Sequence, residues 1–320
     1  MINSTEKYLA LSGGVGGAKL ALGMSQVLDT EQLLVVVNTG DDFQHMGLSV
    51  SPDIDTLIYT LSGLNNKELG WGRQDESWNF MQACEDLGME TWFRLGDKDL
   101  AVHIFRTQGL VQGLTLSEVT NELCKRFNIK TQIVPMSDDP VSTFVNTTMG
   151  TLPFQEYFVK HRCVPAVTGF EYVGIDSAKM SSSFAQSLDD PELQAVIICP
   201  SNPFLSVQPI LTLPMVRKKL KEIKQPVIVV SPIVEDQALK GPTAKMMKEL
   251  NIDCDVNGIV EFYADLIDGI VIDNKDSSYV AEIESRGVKV HTSNIVMRSL
   301  QDRKDLAREV IQFSKTFNEI

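Results

Sequence analysis

The sequence predicts an α/β fold in which helices flank a parallel β-sheet. Short apolar segments recur along the chain, and segments with the spacing of amphipathic helices separate them. Strands that alternate with helices in this way pair in parallel and are joined by right-handed crossovers. Four glycines at 13–17 separate the first apolar segment from the first helical one, a turn typical of a strand that leads directly into a helix.

The glycine segment is the first candidate binding site. Residues 8–11 predict a buried strand and residues 18–28 predict a helix, so the glycines lie where a helix start directs backbone N–H groups at a phosphate. A Cβ atom would block close approach of the anion. The spacing matches neither a dinucleotide fingerprint nor a P-loop, so a tight turn without a ligand remains the alternative. The candidate diphosphate-binding residues are Gly13, Gly14, Val15, Gly16, Gly17 and Lys19.

Four aspartates follow the second strand and open the next helix. Residues 33–37 predict a buried strand that leads to Asp41 and Asp42, and Asp53 and Asp55 lie in the first turn of the following helix. Residues just past the carboxyl end of a parallel strand face the ligand crevice, so we expect this acidic group beside the glycines. Acidic side chains also stabilise a first helical turn, and capping alone is the alternative for Asp53 or Asp55.

This acidic group would repel a diphosphate unless a cation lay between them. A helix N-terminus offers only about half a positive charge, which does not balance a diphosphate. Mg²⁺ binds carboxylate and phosphate oxygens together, so we expect a magnesium ion held by one or two of Asp41, Asp42 and Asp53. A hydroxyl acceptor also needs a carboxylate to take its proton, and the catalytic candidates are Asp55 and Asp42.

The middle of the chain predicts a mainly helical insertion with a small β-hairpin, set over the ligand edge of the sheet. We assign residues 64–165 to this subdomain, inside one domain that spans 1–320. Arg94 lies in a turn of this region and could neutralise substrate charge, although a solvated, capped helix start is the alternative. The predicted elements are helices over 52–61, 77–87, 100–108 and 115–127, an extended segment over 130–135 and a hairpin over 143–159.

The α/β pattern returns after residue 173. Ser201 and Asn202 directly follow a predicted strand, which places them at the crevice as candidate nucleotide ligands. Serine and asparagine also favour turns, which is the alternative. The predicted elements are strands over 195–199, 226–230, 269–272 and 288–291, and helices over 216–223, 246–250, 260–266 and 303–317.

Composition limits the class of protein. The 320 residues carry a net charge of −13, which argues against a general binder of nucleic acid or anionic membranes. The five cysteines are scattered and form no Cys-x-x-Cys pair, so we expect neither a zinc site nor a disulfide framework. The sequence shows no signal-peptide pattern and no apolar segment of membrane-spanning length, and we expect a cytoplasmic protein.

Seven short segments carry a further signal when they are taken together. They are SGGVGGAKL at 12–20, VNTGDD at 37–42, SPDIDT at 51–56, GWG at 70–72, LGDKDLA at 95–101, PMSDDPVST at 135–143 and PSNP at 200–203. As a set, and in this order, they resemble the 2-phospho-L-lactate transferase family of coenzyme F420 biosynthesis. A distant relative, the regulator family of sugar metabolism and cell shape, has a similar glycine start but lacks the segments at 95–101 and 135–143.

The resemblance implies a Rossmann-like fold, a homodimer and dependence on Mg²⁺. It implies that the terminal hydroxyl of the ribityl chain of Fo, a deazaflavin, attacks a GDP-linked hydroxy- or enol-acid, so that a phosphodiester forms and GMP leaves. By position, Asp55 and Arg94 would bind Fo, and the glycine turn with Ser201 and Asn202 would hold the guanylyl and diphosphate part. The acid of the donor stays open between lactyl, enolpyruvyl and glyceryl forms.

Two other classes of protein remain as alternatives. A non-catalytic sensor of nucleotides or nucleotide-sugars on the same fold would bind its ligand without turnover. An NAD-dependent oxidoreductase is disfavoured, because Asn38 and Thr39 follow the second strand where a lone ribose-binding carboxylate is expected.

Overall fold

The computed structural model describes residues 5–68, 70–238 and 241–317. Its strands are β1 (Lys7–Ser12), β2 (Leu33–Val37), β3 (Phe43–His45), β4 (Leu48–Val50), β5 (Gln132–Pro135), β6 (Ser142–Thr147), β7 (Gly150–Pro153), β8 (Val167–Val173), β9 (Leu193–Ile198), β10 (Val227–Val230), β11 (Ile233–Val234), β12 (Gln237–Ala238), β13 (Gly269–Asp273) and β14 (Lys289–Ser293). Its α-helices are α1 (Gly14–Ser25), α2 (Pro52–Leu61), α3 (Asn79–Asp86), α4 (Asp97–Val111), α5 (Leu116–Arg126), α6 (Ser182–Leu188), α7 (Gln208–Thr212), α8 (Val216–Glu222), α9 (Thr243–Glu249), α10 (Val256–Tyr263), α11 (Val280–Ser285) and α12 (Leu300–Lys315).

Seven strands form one parallel sheet in the order β14-β13-β10-β9-β1-β2-β5. From β1 the chain moves outward through β2 to β5, and it then returns to β9 on the other side of β1 and continues through β10 to β14. The strand order therefore reverses between β1 and β9. In open α/β sheets, ligands bind outside the carboxyl ends of the strands at such a point. The predicted α/β fold is confirmed, and its topology marks the edge where a site is expected.

Hydrophobic cores lie on both faces of the large sheet, because its central strands carry apolar side chains on both faces. In β1, Leu9 and Leu11 belong to one core, whereas Tyr8 and Ala10 belong to the other. The first core continues into β6 and β8, and the second is covered by α1, α2 and α12. Each such side chain contributes about 1.5–3 kcal/mol on full burial, so this centre is a rigid support for the loops that follow β1 and β9.

The predicted hairpin is confirmed as β6 and β7, but it ends at Pro153 and Glu156–Lys160 are helical, so the extension to residue 159 is wrong. Strand β8 extends the hairpin to a three-stranded antiparallel sheet. Strand β8 was not predicted, because a glycine interrupts the alternation of apolar and polar residues along it. The hairpins β3–β4 and β11–β12 were also missed, because segments of two or three residues carry no measurable periodicity.

Several helix boundaries differ from the predictions. Helix α1 begins at Gly14 rather than at residue 18, inside the glycine segment. Helix α3 begins at Asn79 rather than at residue 77, and α10 begins at Val256 rather than at residue 260. In α10 the preceding Asp255 is the N-cap, since its side chain accepts a hydrogen bond from the third residue of the helix.

The division into a 1–320 domain and a 64–165 subdomain stays a prediction. Within 64–165 lie α3, α4 and α5, the hairpin of β6 and β7, and β5, which pairs with β2 at the edge of the large sheet. None of the helices described is both long enough and apolar enough to cross a lipid bilayer.

Candidate active site

A cavity of about 960 Å³ opens at the carboxyl ends of β1, β2 and β9. It brings together most of the side chains and glycines that the sequence analysis selected. Two of the selected residues do not line it: Gly17 is buried behind the turn, and Asp42 lies outside the wall. The selected residues that do line the cavity are Gly13, Gly14, Val15, Gly16, Lys19, Asp41, Asp53, Asp55, Arg94, Ser201 and Asn202.

The glycine turn is held from two sides. Gly13 is extended and Gly14 has φ of +60°, a backbone conformation that favours glycine. The N–H of Gly14 donates to Asp53 Oδ1 at 2.7 Å, and the hydroxyl of Ser201 donates to the carbonyl of Gly13 at 2.7 Å. The N–H of Gly14 is therefore not free for a ligand, whereas the following N–H groups of the first turn have no acceptor inside the helix.

Asp53 joins the glycine turn to the acidic rim. Its second oxygen accepts a hydrogen bond from Asn38 Nδ2 at 2.9 Å, and Asn38 Oδ1 accepts one from the N–H of Gly40 at 2.8 Å. Burial raises the pKa of Asp53 to about 6, although the two hydrogen bonds from Asn38 and Gly14 oppose that shift. Asp53 thus connects β1 to β2, a structural role that the sequence analysis did not assign to it.

Asp55 forms a buried ion pair with Arg106 of α4. The Arg106 side chain is fully buried, and burial raises the pKa of Asp55 while the charges of Arg106 and His103 act to lower it. His103 Nδ1 lies 3.5 Å from Asp55 Oδ2, and His103 Nε2 lies 3.4 Å from Asp99 Oδ2. The hydroxyl of Tyr59 donates to Asp99 Oδ1 at 2.5 Å. A buried network therefore fixes the orientation of Asp55 at the cavity wall.

Asp99, His103 and Arg106 are not among the site residues that the sequence predicted. Residues 99, 103 and 106 lie one turn apart along α4, and this spacing puts their side chains on one face of a helix. A polar stripe of this kind usually faces solvent, but in α4 it faces the aspartates of α2. The spacing was the available signal for the network.

Each of Asp41, Asp42 and Asp55 has one buried carboxylate oxygen without a hydrogen-bond partner. Asp41 Oδ1 and Asp42 Oδ1 are buried and unpaired, and Asp42 Oδ2 accepts a hydrogen bond from Ser51 at 2.6 Å. Burial holds the pKa of both carboxyls well above their ordinary values, and neighbouring carboxylates add to the effect. Unpaired carboxylate oxygens in an acidic group fit a hard divalent cation, which would relieve both the burial and the repulsion.

A second set of possible metal ligands lies deeper in the network. Among the residues described, the group whose ligand atoms lie within 4.8 Å of one another is Asp55, Asp99 and His103. Arg106 already supplies a positive charge to Asp55, so these three residues have less need of a cation than Asp41 and Asp42.

Positively charged side chains line other parts of the cavity. The guanidinium carbon of Arg94 lies 4.2 Å from the ring centroid of Trp78, and Lys19 Nζ donates to the carbonyl of Met297 at 3.1 Å. Arg162 and Arg298 also line the cavity, and neither was predicted from the sequence. They lie far from the motifs along the chain, so only the fold brings them to the site.

Ser201 and Asn202 both lie where the sequence analysis placed them, after β9. Asn202 Oδ1 accepts hydrogen bonds from the N–H groups of Phe204 at 2.9 Å and Leu205 at 3.1 Å. Its oxygen therefore caps the next turn, as the turn interpretation expects, while the residue also lines the cavity. Its role towards a nucleotide stays a prediction.

Comparison with known proteins adds the family to this geometry. The family model described as 2-phospho-L-lactate transferase CofD matches residues 9–312. The chain is 36% identical over 303 residues to the 2-phospho-L-lactate transferase of Methanococcoides burtonii, covering 95% of this chain and 98% of that relative. It is 38% identical to the enzyme of the same name from Methanocaldococcus jannaschii, covering 95% and 96%. It is 34% identical to a phosphoenolpyruvate transferase of Kitasatospora aureofaciens, covering 97% and 98%.

The fold is similar to that of a solved structure. A UPF0052 family protein from Bacillus halodurans superimposes with a TM-score of 0.62 at 12% identity, covering 96% of this chain and 98% of that one. At this identity the likeness concerns the fold alone.

Proposed function

The chain belongs to the CofD family of 2-phospho-L-lactate transferases, and from this we propose that it transfers a phospho-hydroxyacid group to the ribityl hydroxyl of Fo in coenzyme F420 biosynthesis. The donor is a GDP-linked acid. The ribityl oxygen forms a bond to the phosphorus next to the acid, the bridging P–O bond to GMP breaks, and the hydroxyl proton passes to a carboxylate. The products are a phosphodiester of Fo and GMP.

Asp55 and Arg94 bind Fo in this proposal. Asp55 is the better catalytic candidate than Asp42, because Asp55 lines the cavity and Asp42 does not. Arg106 favours the charged form of Asp55, and an ionised carboxylate accepts a hydrogen bond from a hydroxyl group and then its proton. Its position on the first turn of α2 beside Arg106 and His103 keeps the accepting oxygen in one orientation.

The guanylyl and diphosphate part of the donor lies at the glycine turn, between the start of α1 and the turn after β9. The unpaired oxygen of Asp41, which lines the cavity, supports a Mg²⁺ site at this rim, with Asp42 and Asp53 as the other candidate ligands. When bound, Mg²⁺ supplies positive charge to the diphosphate oxygens. The first-turn N–H groups of α1 and Lys19 add to that charge.

One observation carries this proposal: the glycine turn, Asp55 and Arg94 line the same cavity at the topological switch point of the sheet. We also propose that the protein is a cytoplasmic homodimer that binds neither nucleic acid nor membrane. The resemblance supports the dimer, and the net charge of −13 supports the absence of polyanionic partners.

The test is to incubate the protein with Mg²⁺, Fo and each donor in turn, and to analyse the products by mass spectrometry. We expect the phosphodiester of Fo and an equal amount of GMP with at least one of the lactyl, enolpyruvyl and glyceryl donors. The names of the relatives include both a phospholactate and a phosphoenolpyruvate enzyme, so all three donors are needed. Binding of GDP without product from any donor would contradict the proposal and favour the sensor.

A further inference from the structure

Two carboxylates, one in the loop at 70–78 and one in α4, hold this loop against the start of α4 by capping helix starts. The N-cap position of α4 is Gly96, which has no side chain to cap the helix. Glu76 of the loop fills this role, since its Oε2 accepts a hydrogen bond from the N–H of Lys98 at 2.7 Å and its Oε1 accepts one from the N–H of Asp99 at 2.9 Å. A negative charge at a helix N-terminus is also favoured by the helix dipole.

The second cap runs in the opposite direction. Asp97, the first residue of α4, accepts hydrogen bonds from the hydroxyl of Ser77 at 2.6 Å, the N–H of Asn79 at 3.2 Å and the N–H of Phe80 at 3.1 Å. These groups lie at the start of α3, whose own N-cap residue, Trp78, offers no side-chain hydrogen bond. The start of α4 is therefore capped by a carboxylate of the loop that leads into α3, and the start of α3 is capped by a carboxylate of α4, which holds this loop against α4.

The backbone of α4 is shaped to receive Glu76. A Cβ atom on Gly96 would lie 2.2 Å from Cδ of Glu76, closer than any real contact. The glycine therefore leaves the space that the carboxylate occupies. The side chain of Glu76 and the backbone of α4 at Gly96 are therefore in close contact.

The loop carries aromatic side chains to the cavity. The Trp71 ring centroid lies 6.2 Å from that of Trp78, and the Arg94 guanidinium lies over the other member of this pair, Trp78. Trp71 and Arg94 line the cavity, whereas Glu76 and Asp97 do not. Replacing Glu76 or Asp97 would therefore displace Trp71 and Arg94 without removing either side chain from the cavity.

We propose that Glu76 and Asp97 are positioning residues for the acceptor: they set how closely Trp71 and Arg94 approach a planar aromatic molecule in the cavity. The assignment of Arg94 to the acceptor rests on the proposed function. Ordering long side chains on binding costs conformational entropy, and a loop already held by two caps lowers that cost before the acceptor arrives.

The test compares Glu76→Gln with Glu118→Gln. Glu118 is a matched control, because it caps α5 by accepting the N–H of Thr115 at 2.7 Å and does not line the cavity. Glutamine keeps the size of Glu76 but loses the charge and one acceptor. We expect the KM for Fo to rise about fivefold to tenfold, because the variant loses one charge-assisted hydrogen bond. We expect kcat and the KM of the donor to change by less than about twofold, and the control to keep all three values.

A second variant and a second readout keep the inference testable if Glu76→Gln does not fold or the protein forms no product. Asp97→Asn is expected to raise the same KM, and the double variant to show less than the product of the two effects, because both caps hold one loop. Acrylamide quenching of tryptophan emission, in a Trp92→Phe background that leaves Trp71 and Trp78, is expected to increase in both variants and not in Glu118→Gln.

The outcomes separate this inference from the proposed function. One outcome would overturn the inference and leave the proposed function intact. In it, the wild type turns over, and the KM for Fo and the quenching of Glu76→Gln and Asp97→Asn equal those of Glu118→Gln. If the wild type forms no product, the proposed function fails, and the quenching measurement alone tests whether Glu76 and Asp97 position the loop. Unchanged quenching would then overturn the positioning role as well, and increased quenching would support it.

Discussion

Replacement of Arg106 by methionine is expected to lower the free energy of unfolding by about 3–5 kcal/mol at pH 8, the usual cost of removing one partner of a buried ion pair. Arg106 is fully buried and its guanidinium contacts Asp55, which is itself 5% exposed. The variant leaves the Asp55 carboxylate in a low-dielectric site without its counter-charge. Urea denaturation followed by circular dichroism measures the difference.

The cost is expected to depend on pH. Arg106 lowers the pKa of Asp55 against the raising effect of burial, so its loss moves that pKa further above the value of the unfolded chain. The folded variant then binds a proton that the unfolded chain has released, and its stability relative to wild type falls as the pH rises. The destabilisation should be smaller at pH 5 than at pH 8, because a neutral Asp55 needs no counter-charge.

Arg126→Met is the matched control for this prediction. Arg126 lies on α5, where it pairs with Glu122 and its side chain is 60% exposed. Exposed pairs contribute about 0–1 kcal/mol, so the control should lose little stability at either pH. Equal losses in Arg106→Met and Arg126→Met would show that the buried pair does not hold Asp55.

Replacement of Gly16 by alanine is expected to lower kcat/KM for the donor by about 10²-fold, the effect of misplacing binding groups by roughly 1 Å. A Cβ atom on Gly16 would lie 2.1 Å from the carbonyl oxygen of Pro200. The Cβ is attached directly to the main chain and the oxygen belongs to it, so neither can rotate away. The start of α1 must therefore move away from the turn after β9. Those two segments form opposite sides of the proposed nucleotide site. Overpacking of this kind also costs about 1–3 kcal/mol of stability.

Gly169→Ala serves as the control for the effect of adding a methyl group. Gly169 lies in β8, and the nearest atom to its added Cβ would be Asn146 Nδ2 at 3.9 Å, an ordinary contact. We expect kcat/KM close to that of the wild type. The prediction for Gly16 is wrong if the two variants have the same kcat/KM and the same affinity for GDP.

Sequence reasoning was most successful where a single strong pattern decides the structure. The strands β1 and β2 are short, have apolar centres and are followed by turn residues, so both their existence and the position of the site at their ends could be predicted. Helix α5 was found for the same reason, because Thr115 and Glu118 form a capping box within the local sequence.

The parts that could not be predicted depend on contacts between distant segments. The start of α3 is capped by Asp97, which follows the helix along the chain, so the residues that precede the helix do not mark where it begins. Arg106 has the sequence pattern of a solvent-exposed helical residue, and it is buried because α4 packs against β4, where its guanidinium contacts Asp55 of α2. Buried charges with distant partners leave little local signal.

The most direct test of the account is calorimetric titration of the protein with GDP, once with Mg²⁺ and once with EDTA, and with NAD as a comparison. The account places a nucleotide diphosphate at the glycine turn with a cation between it and the aspartates, so GDP should bind at least about tenfold more tightly with Mg²⁺ and more tightly than NAD. Equal affinity for GDP in Mg²⁺ and in EDTA, or tighter binding of NAD, would contradict it.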